Sequence, residues 1–327
     1  MKKMMTKNSG GDDYSNRLLS YLDSQFTEKI KKIAKIRDFV YIVETNQNVY
    51  VIKGYSNLNK LKLQETFTAT LKKEGFLKTY SFVKHLSKSP LFFEGKYFGC
   101  MEYLAPDSKI FSFSSHSNRL DGMAVLKELH QITSSIVPRY RTLLSFSDIQ
   151  EKWKERLELF QQNFSLLQNF LKEKHLQEMV QWANWSLKGM KENEGYFLKE
   201  PHVILHGDVA HHNFLRDKKG TLNLIDFDLI SIGPSGIDYL QYANRIMPFL
   251  DWSLDYLYRH PPMKRYLKQT EFLYALAYPA DIFREWNRLI REKSYLNPAQ
   301  HRQVIELTLG QFYLRRKMVE RLKKIVT

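Results

Sequence analysis

Apolar positions return along this chain with two different periods, and the change from one to the other divides it. Leu18, Leu19, Leu22 and Phe26 recur at helical spacing and predict one amphipathic helix, after a polar, glycine-containing tail over residues 1–13 that predicts disorder. Residues 33–36, 39–44 and 49–52 then read as three short strands, with Asn46-Gln47-Asn48 as the turn between the last two. A helix follows over 61–73, closed by Gly75 in the position of a C-terminal cap. Phe82, residues 91–93 and residues 97–104 give further strands, the last two joined through Glu94-Gly95-Lys96.

Beyond Ala105-Pro106-Asp107 the period becomes helical. Residues 149–172 and 175–190 carry apolar side chains every three or four positions and predict a long packed pair. More helices are predicted over 239–257, 266–290 and 303–325, with Pro261-Pro262 marking a break. The pattern therefore predicts strands with two helices up to about residue 104 and a mainly helical remainder over 105–327. No repeat or low-complexity tract interrupts it.

One stretch, residues 203–228, breaks the helical rhythm of that remainder. The apolar run Val203-Ile204-Leu205 leads into His206-Gly207-Asp208, Asn213 lies five positions further on, and a second run, Leu222 to Ile225, delivers Asp226. Two short buried strands around a polar loop would bring Asp208, Asn213 and Asp226 to one end of a small unit. Phosphoryl transfer asks for such a set: hard oxygen ligands to hold Mg²⁺ against nucleotide phosphates, and a carboxylate to orient the attacking hydroxyl and accept its proton. Asp and Asn also serve as turn and cap residues through local hydrogen bonding. The flanking motifs decide between the two readings.

The spacing of His206, Asp208 and Asn213, followed by Ile225-Asp226-Phe227-Asp228, resembles the aminoglycoside phosphotransferase and choline kinase superfamily. Gly233-Pro234-Ser235-Gly236-Ile237-Asp238-Tyr239 is similar to the G-D-P-x-x-D-L segment of that family, without its first Asp. The resemblance runs through the first lobe as well. Lys53, in YVIKGY, matches the strand lysine that contacts nucleotide phosphates, and Glu65 the helix glutamate that pairs with it. Met101-Glu102-Tyr103-Leu104 resembles the hinge, where the backbone of Glu102 and Leu104 would bond an adenine ring. The segment 123–130, MAVLKELH, resembles the start of the second lobe.

The resemblance implies an α+β, protein-kinase-like two-lobe fold, with a small antiparallel-sheet lobe over 1–104 and a larger, mainly helical lobe over 105–327, and a small-molecule kinase that uses ATP and Mg²⁺. Asp208 would be the catalytic base, Asn213 and Asp226 the metal ligands, and Lys53 with Glu65 the phosphate grip, serving a small hydroxyl acceptor such as a sugar-like compound. It also implies a glycine-, Ser- or Asn-bearing turn between the first two strands, where backbone N–H groups approach the phosphates. Here that region reads Ala34-Lys35-Ile36-Arg37-Asp38-Phe39, without a glycine. Side chains would crowd the approach, which weakens nucleotide binding unless Lys35 or Arg37 supplies charge. That departure keeps open a second class, a kinase-shaped binding or structural protein without turnover. The LIDFD spacing and the altered G-D-P segment resemble the spore-coat-associated kinase-like branch, which implies a place in the cytoplasm or the spore coat and coat-assembly partners.

Composition narrows the picture a little further. The formal net charge of +15 makes an anionic partner plausible and a polycationic aminoglycoside a poor one. Nucleic acid rests on that charge alone and is the weaker reading. No apolar run is long enough for a membrane span, and a single cysteine, Cys100, excludes an internal disulfide. His206 reads as a brace of its loop rather than a proton carrier. His211 and His212 lack the helical spacing of paired zinc ligands. Asp238 reads as a loop brace, Asp228 as a second acidic ligand or a turn cap, and the basic end, Arg315 to Lys324, as a solvated face.

Overall fold

The computed structural model describes residues 9–84, 86, 90–193, 195, 197 and 201–326, with side chains described from residue 13. It is an α+β protein whose chain falls into two compact units. The first comprises residues 1–110 together with 215–228, and the second residues 111–214 and 229–327. The boundary therefore lies past residue 104, and the stretch 203–228 is divided: Asp208 and Asn213 belong to the second unit, Asp226 and Asp228 to the first.

In the first unit, helix α1 (Ser9–Gln25) precedes strands β1 (Ile30–Arg37), β2 (Val40–Thr45) and β3 (Val49–Tyr55). Helix α2 (Leu58–Lys73) leads on to β4 (Leu91–Phe93) and β5 (Lys96–Glu102), and the five strands form an antiparallel sheet in the order β1-β2-β3-β5-β4. Alternation assigns the two faces. Tyr41, Val43, Tyr50, Ile52, Phe98 and Cys100 turn to one side and make a core with Leu18, Leu22 and Phe26 of α1. Burial there pushes the Cys100 thiol up to about 12, so it packs as a small apolar group. Lys53 has the opposite parity, its strand neighbours being Val40 and Gly99.

The tail is shorter than the sequence predicts. Its residues 1–8 lie outside the described residues, but α1 already begins at Ser9. The helix runs on through Asp13, whose carboxylate pairs with Arg17 one turn along. Helix α2 starts at Leu58 rather than 61 because Asn57 caps it, accepting a hydrogen bond from the Lys60 amide at 2.9 Å. Gly75 ends it with φ of +99°, while the Phe76 amide reaches back to the Leu71 carbonyl at 2.8 Å.

Residues 215–228 return to the first unit through strand β7 (Phe214–Arg216), which pairs with β8 (Leu222–Leu224). The ribbon is pinned there by the Asp107 amide donating to the Arg216 carbonyl at 2.8 Å and the Leu224 amide to the Lys78 carbonyl at 2.9 Å.

The second unit is built on helices α3 (His116–Tyr140), α4 (Ile149–Gln162), α5 (Phe164–Leu167) and α6 (Glu173–Glu192). A two-stranded sheet of β6 (His202–Leu205) and β9 (Ser231–Pro234) precedes α7 (Gly236–Ile246), α8 (Leu254–Tyr258), α9 (Thr270–Ala277), α10 (Ala280–Arg291), α11 (Pro298–Leu309) and α12 (Phe312–Val326). Four predicted long helices are broken, the run 239–257 giving way at Met247–Leu250 to a tighter turn before α8. The run 149–172 stops where Asn163 bonds back to the Leu159 carbonyl. The run 266–290 stops at Pro279, which has no amide to continue the ladder, and 303–325 stops at Gly310.

Alpha-helical packing in this unit is aromatic. Trp153 of α4 stacks on Tyr278 with centroids 4.2 Å apart, and Phe160 meets Phe283 of α10 at 4.3 Å. The basic end is only in part a solvated face: Lys317 and Lys324 are exposed, but its arginines are paired. Arg315 is buried, 2.6 Å from Asp281, with its guanidinium 3.9 Å above the Trp252 ring; Arg316 forks onto Glu178, and Arg321 onto Asp255. Three of its cations thus fasten α12 to its own unit. No helix among the described residues is long and apolar enough to cross a membrane.

Candidate active site

Each unit presents its own half of the predicted chemistry. In the first, Lys53 leaves β3 with its ammonium 2.8 Å from Asp226 Oδ1 and 2.6 Å from Asp228 Oδ2. Arg37, at the end of β1, reaches Asp226 Oδ2 at 2.5 Å. Burial alone would raise the Asp226 carboxyl, but Lys53 and Arg37 outweigh it and draw it from 3.8 down to about 2. Asp226 therefore stays ionised. It sits in the left-handed region, with φ of +68°, which Asp tolerates better than a β-branched residue.

Glu65 does not pair with Lys53. It bonds Lys62 at 2.9 Å, one turn back on α2, while the Lys53 ammonium is taken by the two aspartates. What ties α2 to the Asp226 turn is its neighbour Gln64, a buried residue whose Nε2 donates to the Phe227 carbonyl at 2.7 Å. Phe67 adds an edge-to-face contact on the Phe227 ring at 5.4 Å. Gln64 gave no signal in the sequence beyond its place on α2.

Phe39, in the glycine-free turn, has φ of +58°. Its ring meets Tyr14 of α1 edge to face at 6.0 Å and lies 4.9 Å beneath the Lys96 ammonium, so it is turned to the α1 side of the sheet, away from Lys53. Charge at Arg37 is what that turn offers in place of glycine amides. At the hinge, the Glu102 amide donates to the Ser81 carbonyl at 3.0 Å, and its carboxylate accepts from Lys72 and the Ser81 amide. Leu104, outside the ladder, has no backbone hydrogen bond among the described residues.

In the second unit the loop after β6 is built around Asp238 of α7, which is fully buried. Its carboxylate accepts the amides of His206 at 2.8 Å and Gly207 at 3.0 Å, and the His130 ring Nε2 at 2.9 Å. Burial works against its ionisation, yet these bonds hold its carboxyl below the ordinary value. The His206 ring is buried and accepts the Asp208 amide at 3.3 Å through Nδ1. Gln241, unmarked in the sequence, closes the turn from both sides: Oε1 accepts the Val209 amide at 2.6 Å and Nε2 donates to the Gly207 carbonyl at 2.9 Å.

Asp208 is thereby presented with its carboxylate only partly enclosed. Asn213 Nδ2 donates to its carbonyl at 2.8 Å and to Oδ2 at 3.3 Å, and Arg245 reaches Oδ1 at 3.3 Å. Gly207 explains the absence of a side chain between the His and the Asp. At φ of +78°, an added Cβ would come 2.2 Å from the Leu229 carbonyl oxygen. Gly207→Ala is accordingly expected to destabilise the fold by about 1–3 kcal/mol or more, measured as a lowered urea midpoint.

A hard divalent cation takes oxygen ligands and, for Mg²⁺, keeps several waters. Asp226 offers an ionised carboxylate, and Asn213, with its amide nitrogen held by Asp208, offers its carbonyl oxygen. Among the described residues no group of three or more His, Cys, Asp or Glu side chains gathers as a metal site. Asp226 and Asn213 are each, within their own unit, a donor of the kind such a cation takes.

The fold defines the class. The chain is similar to an aminoglycoside phosphotransferase from Alicyclobacillus acidocaldarius subsp. acidocaldarius DSM 446, with 16% identity, a TM-score of 0.72, and 100% of this chain and 98% of that one covered. It is similar to spectinomycin phosphotransferase, solved with ADP and spectinomycin, with 13% identity, a TM-score of 0.62 and 94% and 97% covered. Choline kinase LicA from Streptococcus pneumoniae gives 14% identity, a TM-score of 0.50 and 97% and 100% covered. This is the kinase-like α+β fold. Within it, residues 122–260 match the phosphotransferase enzyme family, a span that includes the Asp208 loop and Asp238. No curated protein sequence matches the chain significantly.

Proposed function

We propose that the protein is a small-molecule kinase, moving the γ-phosphoryl group of ATP to a hydroxyl of a small acceptor. The observation that supports the reading is the Lys53–Asp226 pair, 2.8 Å apart from positions 173 residues distant, the two proposed as phosphate grip and metal ligand. In the reaction the acceptor oxygen bonds to the γ-phosphorus, the bond from that phosphorus to the β–γ bridging oxygen breaks, and ADP leaves. Asp208 orients the hydroxyl and takes its proton. Lys53 steadies the phosphates. A divalent cation held by Asn213 and Asp226 would supply charge neutralisation on the phosphate oxygens.

Arg37 supports a second reading. With Lys53 on one oxygen of Asp226 and Arg37 on the other, the carboxylate that would hold the metal is occupied twice, as expected of a kinase-shaped binding protein without turnover. Thermal unfolding with and without Mg²⁺ and ATP separates the two. The kinase reading expects stabilisation of about 2.7 kcal/mol when nucleotide exceeds its dissociation constant by about 100-fold. Absence of any shift at millimolar nucleotide sinks it. The spore-coat branch rests on the LIDFD and G-P-S-G-I-D segments, and is tested by whether the protein fractionates with coat extracts or with the cytoplasm.

A further inference from the structure

Three helices of the second unit bring cations to Asp208. Lys152 and Arg156 stand one turn apart on the same face of α4. Helix α10 is locked against that helix, because Asn287 Nδ2 donates to the Arg156 carbonyl at 2.9 Å and Tyr278, just before α10, donates its hydroxyl to the Trp153 carbonyl at 2.6 Å. Arg284, one turn before Asn287, consequently sits on the flank of α10 nearest α4. Arg245 comes from α7 and touches Asp208 itself, at 3.3 Å.

Arg284 is the electrostatic neighbour of the other three. Burial and then Arg284 lower the Arg245 guanidinium, and burial and then Arg284 lower that of Arg156. Burial, Arg156 and Arg284 lower the Lys152 ammonium, with Asp208 acting the other way. Lys152 nevertheless reaches solvent, and Arg156, Arg245 and Arg284 are half-buried. Three of them partly enclosed and all in touch with water, the four make one wall of positive charge.

The carboxylates around this wall are engaged. Glu285 is shared by Arg284 at 3.0 Å and Arg288 at 2.6 Å, Asp281 is bound by Arg315, and Asp208 faces Arg245. Lys152 and Arg156 have no ion pair among the described residues. Helix packing thus holds two cations together with no direct ion pair, Asp208 offsetting Lys152 only through space, an arrangement that costs stability until an anion arrives.

We propose that Lys152, Arg156, Arg245 and Arg284 form an anion-binding wall beside Asp208, and that the acceptor is a hydroxyl compound carrying a phosphate ester. The naming of an acceptor rests on the kinase reading; the wall does not. Two neighbouring cations without a direct ion pair favour a dianion, which a phosphomonoester with its second pKa of about 6 supplies at neutral pH and a single carboxylate does not. The guanidinium fork matches phosphate oxygens in pairs. A polycationic acceptor meets repulsion here.

The test is calorimetric titration of the full-length protein without nucleotide, using glucose 6-phosphate as the probe against glucose, gluconate and kanamycin. Glucose 6-phosphate is expected to bind at least about tenfold more tightly than the other three, as charge-assisted hydrogen bonds to a dianion require. The double variant Lys152→Gln, Arg156→Gln is expected to lose that preference while keeping its cooperative unfolding and any melting-temperature rise with Mg²⁺ and ATP. Failure of glucose 6-phosphate to exceed the other three, or equal preference in the double variant, overturns the wall. Phosphate-ester binding without any nucleotide stabilisation upholds the wall and removes the kinase reading, so the two fail separately.

Discussion

Asp208→Ala is expected to reduce phosphoryl transfer by about 10²–10⁴-fold, the range for loss of a positioned general base, while leaving the melting-temperature rise with Mg²⁺ and ATP intact. The separation follows from where the side chain sits. Its backbone, not its carboxylate, holds the loop: the Asp208 amide donates to His206, its carbonyl accepts from Asn213, and Gln241 closes the flanking turn. The carboxylate itself has only the longer 3.3 Å contacts to Asn213 and Arg245. Truncation therefore removes chemistry and spares the fold. Steady-state transfer with the wild-type acceptor and a thermal melt of the same sample check both parts; a variant that turns over normally removes Asp208 from the reaction.

Asp238→Ala is expected to cost about 3–5 kcal/mol, the penalty for deleting one member of a buried charged network. Here the partners left behind are the His206 and Gly207 amides and the His130 ring, at a carboxylate with no solvent exposure. Those amides define the turn that aims Asp208, so activity falls with stability. Asp238→Asn is expected to retain part of the stability, since its oxygen can still accept, but not both amides and the ring together. Because the folded carboxyl titrates below its ordinary value of 3.8, its contribution is complete above that value and is lost as pH falls through the lower, folded one. Urea midpoints between neutral and acid pH check this: wild type and Asp238→Asn should converge only in acid.

Much of the architecture is legible in local pattern. The strand Leu91–Phe93, the Asn46 to Asn48 turn and the Gly75 cap fall where the sequence predicts them, because alternation, turn residues and a glycine at positive φ each act within a few positions. Helix breaks were missed where the signal was a single residue inside an apolar period, as at Asn163, Pro279 and Gly310. The period survives such an interruption; the hydrogen-bond ladder does not.

By itself, then, the sequence determined the oxygen-bearing loop around Asp208 and Asn213, the strand lysine Lys53 and the α+β order of elements, since each depends on spacing along the chain. Tertiary structure alone decided whom the charges meet. Lys53 binds Asp226 and Asp228 rather than Glu65, Gln64 rather than Glu65 ties α2 to the Phe227 turn, and α12 closes its arginines onto its own unit. The gathering of Lys152, Arg156, Arg245 and Arg284 belongs to the same order of decision. Coulomb interactions depend on distance in space, and helices that arrive from three separate stretches of chain set those distances through packing that no local period encodes.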